Sequence, residues 1–219
     1  MVNNSNIGKI LQILEKEYLK NKKPIVTEIS EKYRNPYKIL IGTLLSLRTK
    51  DEVTSVASDK LFSVAETPQK MLNLSRKQIE KLIFPVGFYH RKAENIKTVS
   101  EIILKKYAGK VPDNLNELLS LPGVGRKTAN LVIVLGYDKY GICVDTHVNR
   151  ISNRWGFVKT KSPEETEFTL RWKLDKKYWK IYNDYLVSFG QNICKPISPL
   201  CSKCKIEILC PKIGVNTKR

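Results

Sequence analysis

The stretch Leu121-Pro122-Gly123-Val124-Gly125-Arg126-Lys127-Thr128-Ala129-Asn130 carries the densest chemistry in this 219-residue chain. Two glycines one residue apart, set between helix-forming segments, make a tight turn whose backbone can approach a ligand closely. The helix that follows points its N–H groups and the positive end of its dipole at that turn. Such a turn accepts an anion, and a DNA phosphate fits it, with Arg126 and Lys127 adding charge at the same place. A bare Gly-x-Gly also serves as a plain helix connection. The flanking Leu-Pro and Arg-Lys are what favour the phosphate.

A second constellation closes the chain, where Cys194, Cys201, Cys204 and Cys210 are spaced C-x6-C-x2-C-x5-C. This is too close-set for an ordinary intracellular disulfide pattern and points to a metal. Four thiolates suit an iron–sulfur cluster or structural zinc, but a zinc ribbon would normally show two CxxC pairs and only one is present. Cys143, between Ile142 and Val144, reads as a small buried hydrophobe.

Charge narrows the partner. Thirty-nine Lys and Arg against 21 Asp and Glu leave a net +18, which favours a polyanion because neutralising phosphates releases condensed counterions. Charge alone does not separate nucleic acid from an anionic membrane face or from a lysine-rich, heat-adapted surface. With 42% apolar and 27% charged residues the chain is globular. No signal-peptide stretch opens it, and the longest nearly apolar run, Ile39 to Leu47, is far short of the roughly 20 residues that span a bilayer. An intracellular protein (cytoplasm or nucleoid) that uses no membrane is expected. The two histidines, His90 and His147, accompany no catalytic metal motif, which excludes a zinc hydrolase; His147 reads as a structural hydrogen-bonder.

The elements that must position these residues are helices. Asn35-Pro36, Thr67-Pro68 and Ser162-Pro163 each pair a cap with proline in the first turn. Ser75 with Gln78, and Ser162 with Glu165, form capping boxes. From Ala93 the apolar positions Ile96, Ile103 and Tyr107 keep helical spacing until Gly109 supplies a left-handed stop. Asp113 is placed to cap a helix holding Leu115, Leu118 and Leu119, and a second helix runs from about Arg126 to Leu135. Asp175 is placed to cap a long amphipathic helix ending at Gly190. No alternating strand is visible, so the class is all-α, with about nine or ten helices.

Taken together, LPGVGRKTAN, then Val144-Asp145-Thr146-His147, then the four cysteines, resemble the endonuclease III family of helix-hairpin-helix DNA glycosylases and abasic-site lyases. The likeness also covers Leu44-Leu45-Ser46 with Thr49 to Asp51, and Gly87 with Tyr89 and Lys92-Ala93-Glu94-Asn95-Ile96. It runs from about Asn35 to Cys210. The resemblance implies a two-lobed all-α fold with a C-terminal iron–sulfur cluster loop: residues 29–140 as a helical domain with the hairpin, and 1–28 plus 141–219 as a second lobe carrying a 4Fe–4S cluster. It places Lys127 as the catalytic lysine, Asp145 as the catalytic aspartate, and Cys194, Cys201, Cys204 and Cys210 as the cluster ligands. Asp145 also reads as the cap of a helix from Thr146 to Trp155. A cationic neighbour such as Arg126, the helix start and partial burial would each lower the lysine pKa, while Asp145 opposes them.

Two further loops are implied to open the duplex. Phe88 stands where an apolar wedge is usual. Arg48 departs from the family, which commonly has glutamine there, and reads either as a backbone-contacting cation or as a sensor of guanine opposite the lesion. Gly123, Gly125 and Arg126 are expected to be the hairpin's DNA contacts. The loop between the first two cysteines has one basic residue, Lys195, fewer than is common in the family, and Lys203 and Lys205 stand in. The implied function is a monomeric glycosylase/lyase for damaged, oxidised pyrimidines in double-stranded DNA. A T·G or U·G mismatch glycosylase and a non-catalytic iron–sulfur DNA-binding protein are the alternatives.

Overall fold

The computed structural model describes residues 1–219, and every regular element in it is helical. The α-helices in order are α1 (Ile7–Tyr18), α2 (Ile25–Tyr33), α3 (Pro36–Ser46), α4 (Asp51–Val64), α5 (Pro68–Leu72), α6 (Arg76–Ile83), α7 (Tyr89–Tyr107), α8 (Leu115–Leu119), α9 (Arg126–Leu131), α10 (Thr146–Arg154), α11 (Pro163–Lys173) and α12 (Trp179–Asn192). None is long and apolar enough to cross a membrane. The chain divides into two compact units, Ile25–Lys139 and Met1–Pro24 with Tyr140–Arg219.

Unit Ile25–Lys139 is built around α3. Asn35 caps it, its side chain accepting from the Tyr37 and Lys38 amides at 2.9 and 3.1 Å, and Pro36 fixes the first turn. Residues 39–45 are buried on every side, as expected of a helix apolar all round. A cap contributes about 1 kcal/mol. Each fully buried Leu or Ile contributes roughly 1.5–3. Packing therefore holds α3 in place, and the cap sets where it begins. Helices α2, α4, α7 and α9 pack against it. A buried polar bridge joins the hydroxyls of Tyr37 and Ser100 of α7, 2.6 Å apart.

The other unit has its own core. Ile7, Ile10, Leu11 and Leu14 of α1, Val148 and Ile151 of α10, and Tyr182, Leu186 and Phe189 of α12 close around Trp155 and Phe157. Cys143 is buried beside this core's strongly apolar 142–144 segment.

Several local expectations change. Asn114, not Asp113, caps α8, accepting from the Glu117 amide at 3.0 Å, while Asp113 pairs with Lys139 at 2.5 Å. The helix expected over Arg126 to Leu135 is α-helical only to Leu131 and then widens into a π turn, Val132–Gly136. Asp175 caps a short 3₁₀ turn, Lys176–Tyr178, and α12 begins after it. The capping box at Ser75 and Gln78 forms in both directions. At Ser162 only half forms, because Glu165 reaches the Lys161 amide instead of the Ser162 amide. The left-handed stop of α7 is shared by Ala108 and Gly109, with φ of 49° and 81°.

Candidate active site and nucleic-acid interface

The hairpin joins α8 to α9 through Ser120–Gly125. Leu121 and Val124 anchor it in the core, and the Val124 amide donates to the Leu121 carbonyl at 3.1 Å. Gly123 has φ +77°, and a Cβ there would sit 2.4 Å from Nδ2 of Asn95 on α7. Both facts demand glycine. Gly125 is different. Its backbone is extended, and a Cβ would meet nothing within 4 Å, so the space before α9 is open. No side chain caps α9, and Arg126 and Lys127, its first two residues, are half-buried. An uncapped helix start in open space, with two basic residues on its first turn, suits an anion.

In the same unit, α3–α4 and α6–α7 turns meet. Arg48 and Phe88 both have left-handed backbone, with φ of 51° and 57°, and both are exposed, Phe88 by 64%. The Arg48 guanidinium lies 5.8 Å from the Phe88 ring centroid. Beneath them is a residue whose role sequence reasoning missed. Lys92, only 7% exposed, donates from Nζ to the carbonyls of Leu45 and Leu47 at 2.7 and 2.5 Å and to the Thr49 hydroxyl at 3.0 Å. Its place in a run shared with a family gave the only signal, because its partners lie 43 to 47 positions away.

In the other unit Asp145 caps α10, and its Oδ1 accepts from the His147 and Val148 amides at 2.8 and 2.9 Å. The carboxylate is half-buried and held in one orientation. His147 Nδ1 lies 3.1 Å from Arg150 Nη2, which donates to the Cys194 carbonyl at 2.8 Å. Arg154, buried one turn on, donates to the carbonyls of Lys195 and Pro196, both at 2.6 Å. These two arginines clamp the chain after α12, and neither was singled out by its spacing.

The metal expectation is corrected here. Cys194, Cys201, Cys204 and Cys210 line one apolar hollow with Trp155 and Phe189. A cluster or zinc ion needs sulfurs converging on one centre, yet no group of three or more His, Cys, Asp or Glu is arranged to hold a metal ion. Two of the sulfurs accept hydrogen bonds from protein: Cys194 from Arg154 at 3.5 Å, and Cys210 from the Lys212 amide at 3.4 Å. Burial pushes the Cys204 thiol up to about 11 and raises that of Cys210. Spacing along the chain measured proximity, not convergence, and the 4Fe–4S assignment is not retained. Of the two lysines near these cysteines, Lys203 is exposed, and Lys205 pairs with Glu17 of α1 at 2.5 Å.

Comparison with known proteins places this geometry. The family model described as HhH-GPD superfamily base excision DNA repair protein matches residues 41–175. The chain is 49% identical over 181 residues to endonuclease III of Thermotoga maritima, covering 83% of this chain and 85% of that protein. A solved structure of a trapped endonuclease III–DNA covalent intermediate superposes with a TM-score of 0.86 at 34% identity, over 97% of both chains. A thermostable thymine-DNA glycosylase superposes with a TM-score of 0.68 at 26% identity, over 92% of this chain and 97% of that one.

Proposed function

We infer what this chain does from one premise: it belongs to the HhH-GPD superfamily of base excision DNA repair proteins and, within it, to the endonuclease III family. It is a DNA glycosylase with abasic-site lyase activity, acting on damaged bases in double-stranded DNA. Damaged pyrimidines, oxidised ones foremost, are the substrate class of this reading. The observation that carries it is the hairpin, where an open, uncapped helix start holds Lys127 on its first turn.

Each unit then has a chemical role. The hairpin takes a DNA phosphate, with Gly123, Gly125 and Arg126 along its path. As the bond from C1′ to the base nitrogen breaks, positive charge develops on the sugar, and the oriented carboxylate of Asp145 stabilises it. The Lys127 amine, deprotonated, forms a new bond to C1′, and loss of the ring oxygen from C1′ gives a Schiff base. Removal of a C2′ proton then expels the 3′ phosphate by β-elimination. Arg48 and Phe88 fill the space left by the flipped nucleotide, and Arg48 favours guanine on the opposite strand because its five donors suit acceptor-rich O6 and N7.

A mismatch glycosylase is the second reading, and the likeness to the thymine-DNA glycosylase supports it. A DNA-binding protein without catalysis is disfavoured because Lys127 and Asp145 are both present. One panel separates the three: single-turnover base release and strand cleavage on duplexes bearing an oxidised pyrimidine, uracil, or thymine, each opposite all four bases. Fast release and cleavage of the oxidised pyrimidine, with guanine preferred opposite, is the expected result. Release confined to T·G and U·G pairs selects the second reading, and no release from any duplex selects the third.

A further inference from the structure

Lys92 has no catalytic part in the proposed reaction, and its surroundings are unusual for a lysine. An ammonium has three donors, and all three are spent on acceptors from one short segment, the carbonyls of Leu45 and Leu47 and the Thr49 hydroxyl. All three acceptors are neutral. Two are carbonyls at the C-terminal end of α3, where helix carbonyls lack intrahelical partners and a cation is favoured by the dipole.

The Thr49 hydroxyl passes the connection on. It accepts from Lys92, accepts from the Gly87 amide at 3.2 Å and donates to the Leu47 carbonyl at 3.3 Å, which uses its full capacity. At Gly87 a Cβ would lie 2.7 Å from the Arg48 carbonyl oxygen, so the two turns touch backbone to backbone. Arg48 and Phe88 project from these two turns, each from a left-handed residue whose direction depends on its neighbours being fixed. One turn of helix further along α7, Asn95 packs under Gly123 of the hairpin. A single face of α7 therefore reaches both the phosphate-binding turn and the pair of exposed loops.

We propose that Lys92 is the positioning residue of duplex opening: its buried ammonium locks the 47–49 turn to the Gly87 turn, so that Arg48 and Phe88 enter DNA as one unit. The inference rests on the glycosylase reading and extends it to a buried side chain outside the chemistry. Burial pushes the Lys92 ammonium down to about 8. A charge kept under such pressure is poor value for stability alone, and what it supplies is a fixed geometry.

The test compares a lesion in a fully paired duplex with the same lesion in an unpaired bulge, where nothing has to be opened. Lys92→Met should slow single-turnover base release from the duplex by about tenfold to a hundredfold, the range carried by lost hydrogen bonds to a charged group. Release from the bulge should stay near the wild-type rate. Fluorescence of 2-aminopurine placed opposite the lesion should report weaker unstacking. Thr49→Val, which removes one hydroxyl and keeps the shape, should give the same pattern at smaller amplitude. Equal slowing on both substrates, or none on either, overturns the positioning role. So does a Thr49→Val protein that behaves as wild type when Lys92→Met does not fold. A wild-type protein inactive on both substrates would instead bring down the glycosylase reading, and this inference with it.

Discussion

Helices α9 and α10 begin with the same backbone and different chemistry. The residue before each is extended, Gly125 with φ −93° and Asp145 with φ −112°. At α10 the Asp145 carboxylate turns back and accepts from two amides of the first turn. At α9 no side chain does so, and the space where one would lie is open. Both helix starts call for negative charge. One carries its own, which fixes a carboxylate in place, while the other has none, and in the proposed reading a DNA phosphate takes that position. The same kind of helix start thus holds a carboxylate in one unit and is left open in the other.

The largest effect expected concerns the residue that the open start presents. Lys127→Gln should abolish borohydride trapping on DNA with an abasic site while binding to that DNA persists, as measured by gel shift. Trapping at the wild-type level would move the nucleophile elsewhere and leave α9 as a phosphate clamp only.

Asp145 allows cap and charge to be separated. Asparagine caps about as well as aspartate, so Asp145→Asn should melt close to the wild type. Base release should nonetheless fall by about 10²–10³-fold, as when one group stabilising transition-state charge is removed. Asp145→Ala should lose the same rate and in addition about 0.5–2 kcal/mol of stability. If the Asn variant melted as low as the Ala variant, the charge would be holding the helix start and the contrast would need redrawing.

Giving α9 a cap of its own tests the other side. Gly125 has an extended φ and open space, so Gly125→Asp should fold. Its carboxylate would stand where the phosphate is taken, and affinity for abasic-site DNA should drop by about tenfold or more at low salt. Unchanged affinity would show that the phosphate binds elsewhere. The smallest effect is on Gly125→Ser, a neutral cap worth a few tenths of a kcal/mol of stability in a denaturant titration. A loss of stability there would mean that the glycine is required by the fold.

What the sequence by itself determined was whatever depends on neighbours three or four positions apart. The caps at Asn35, Thr67, Ser75 and Ser162, the Asp145 cap and the left-handed stop after α7 are all local hydrogen-bond geometry, legible from residue type and spacing. The hairpin belongs here too, because two glycines and two cations in five residues already specify an open turn with positive charge. The tertiary structure decided what depends on where side chains point once distant segments pack. It gave Asp113 a partner in Lys139 and left the α8 cap to Asn114. It left the four cysteine sulfurs without a common centre, although their spacing along the chain is tight. It buried Lys92 against acceptors more than forty residues away and set Arg48 over Phe88. Those contacts follow from the packing of α3 against α7, and no periodicity along the chain encodes which atoms such packing brings within hydrogen-bonding distance.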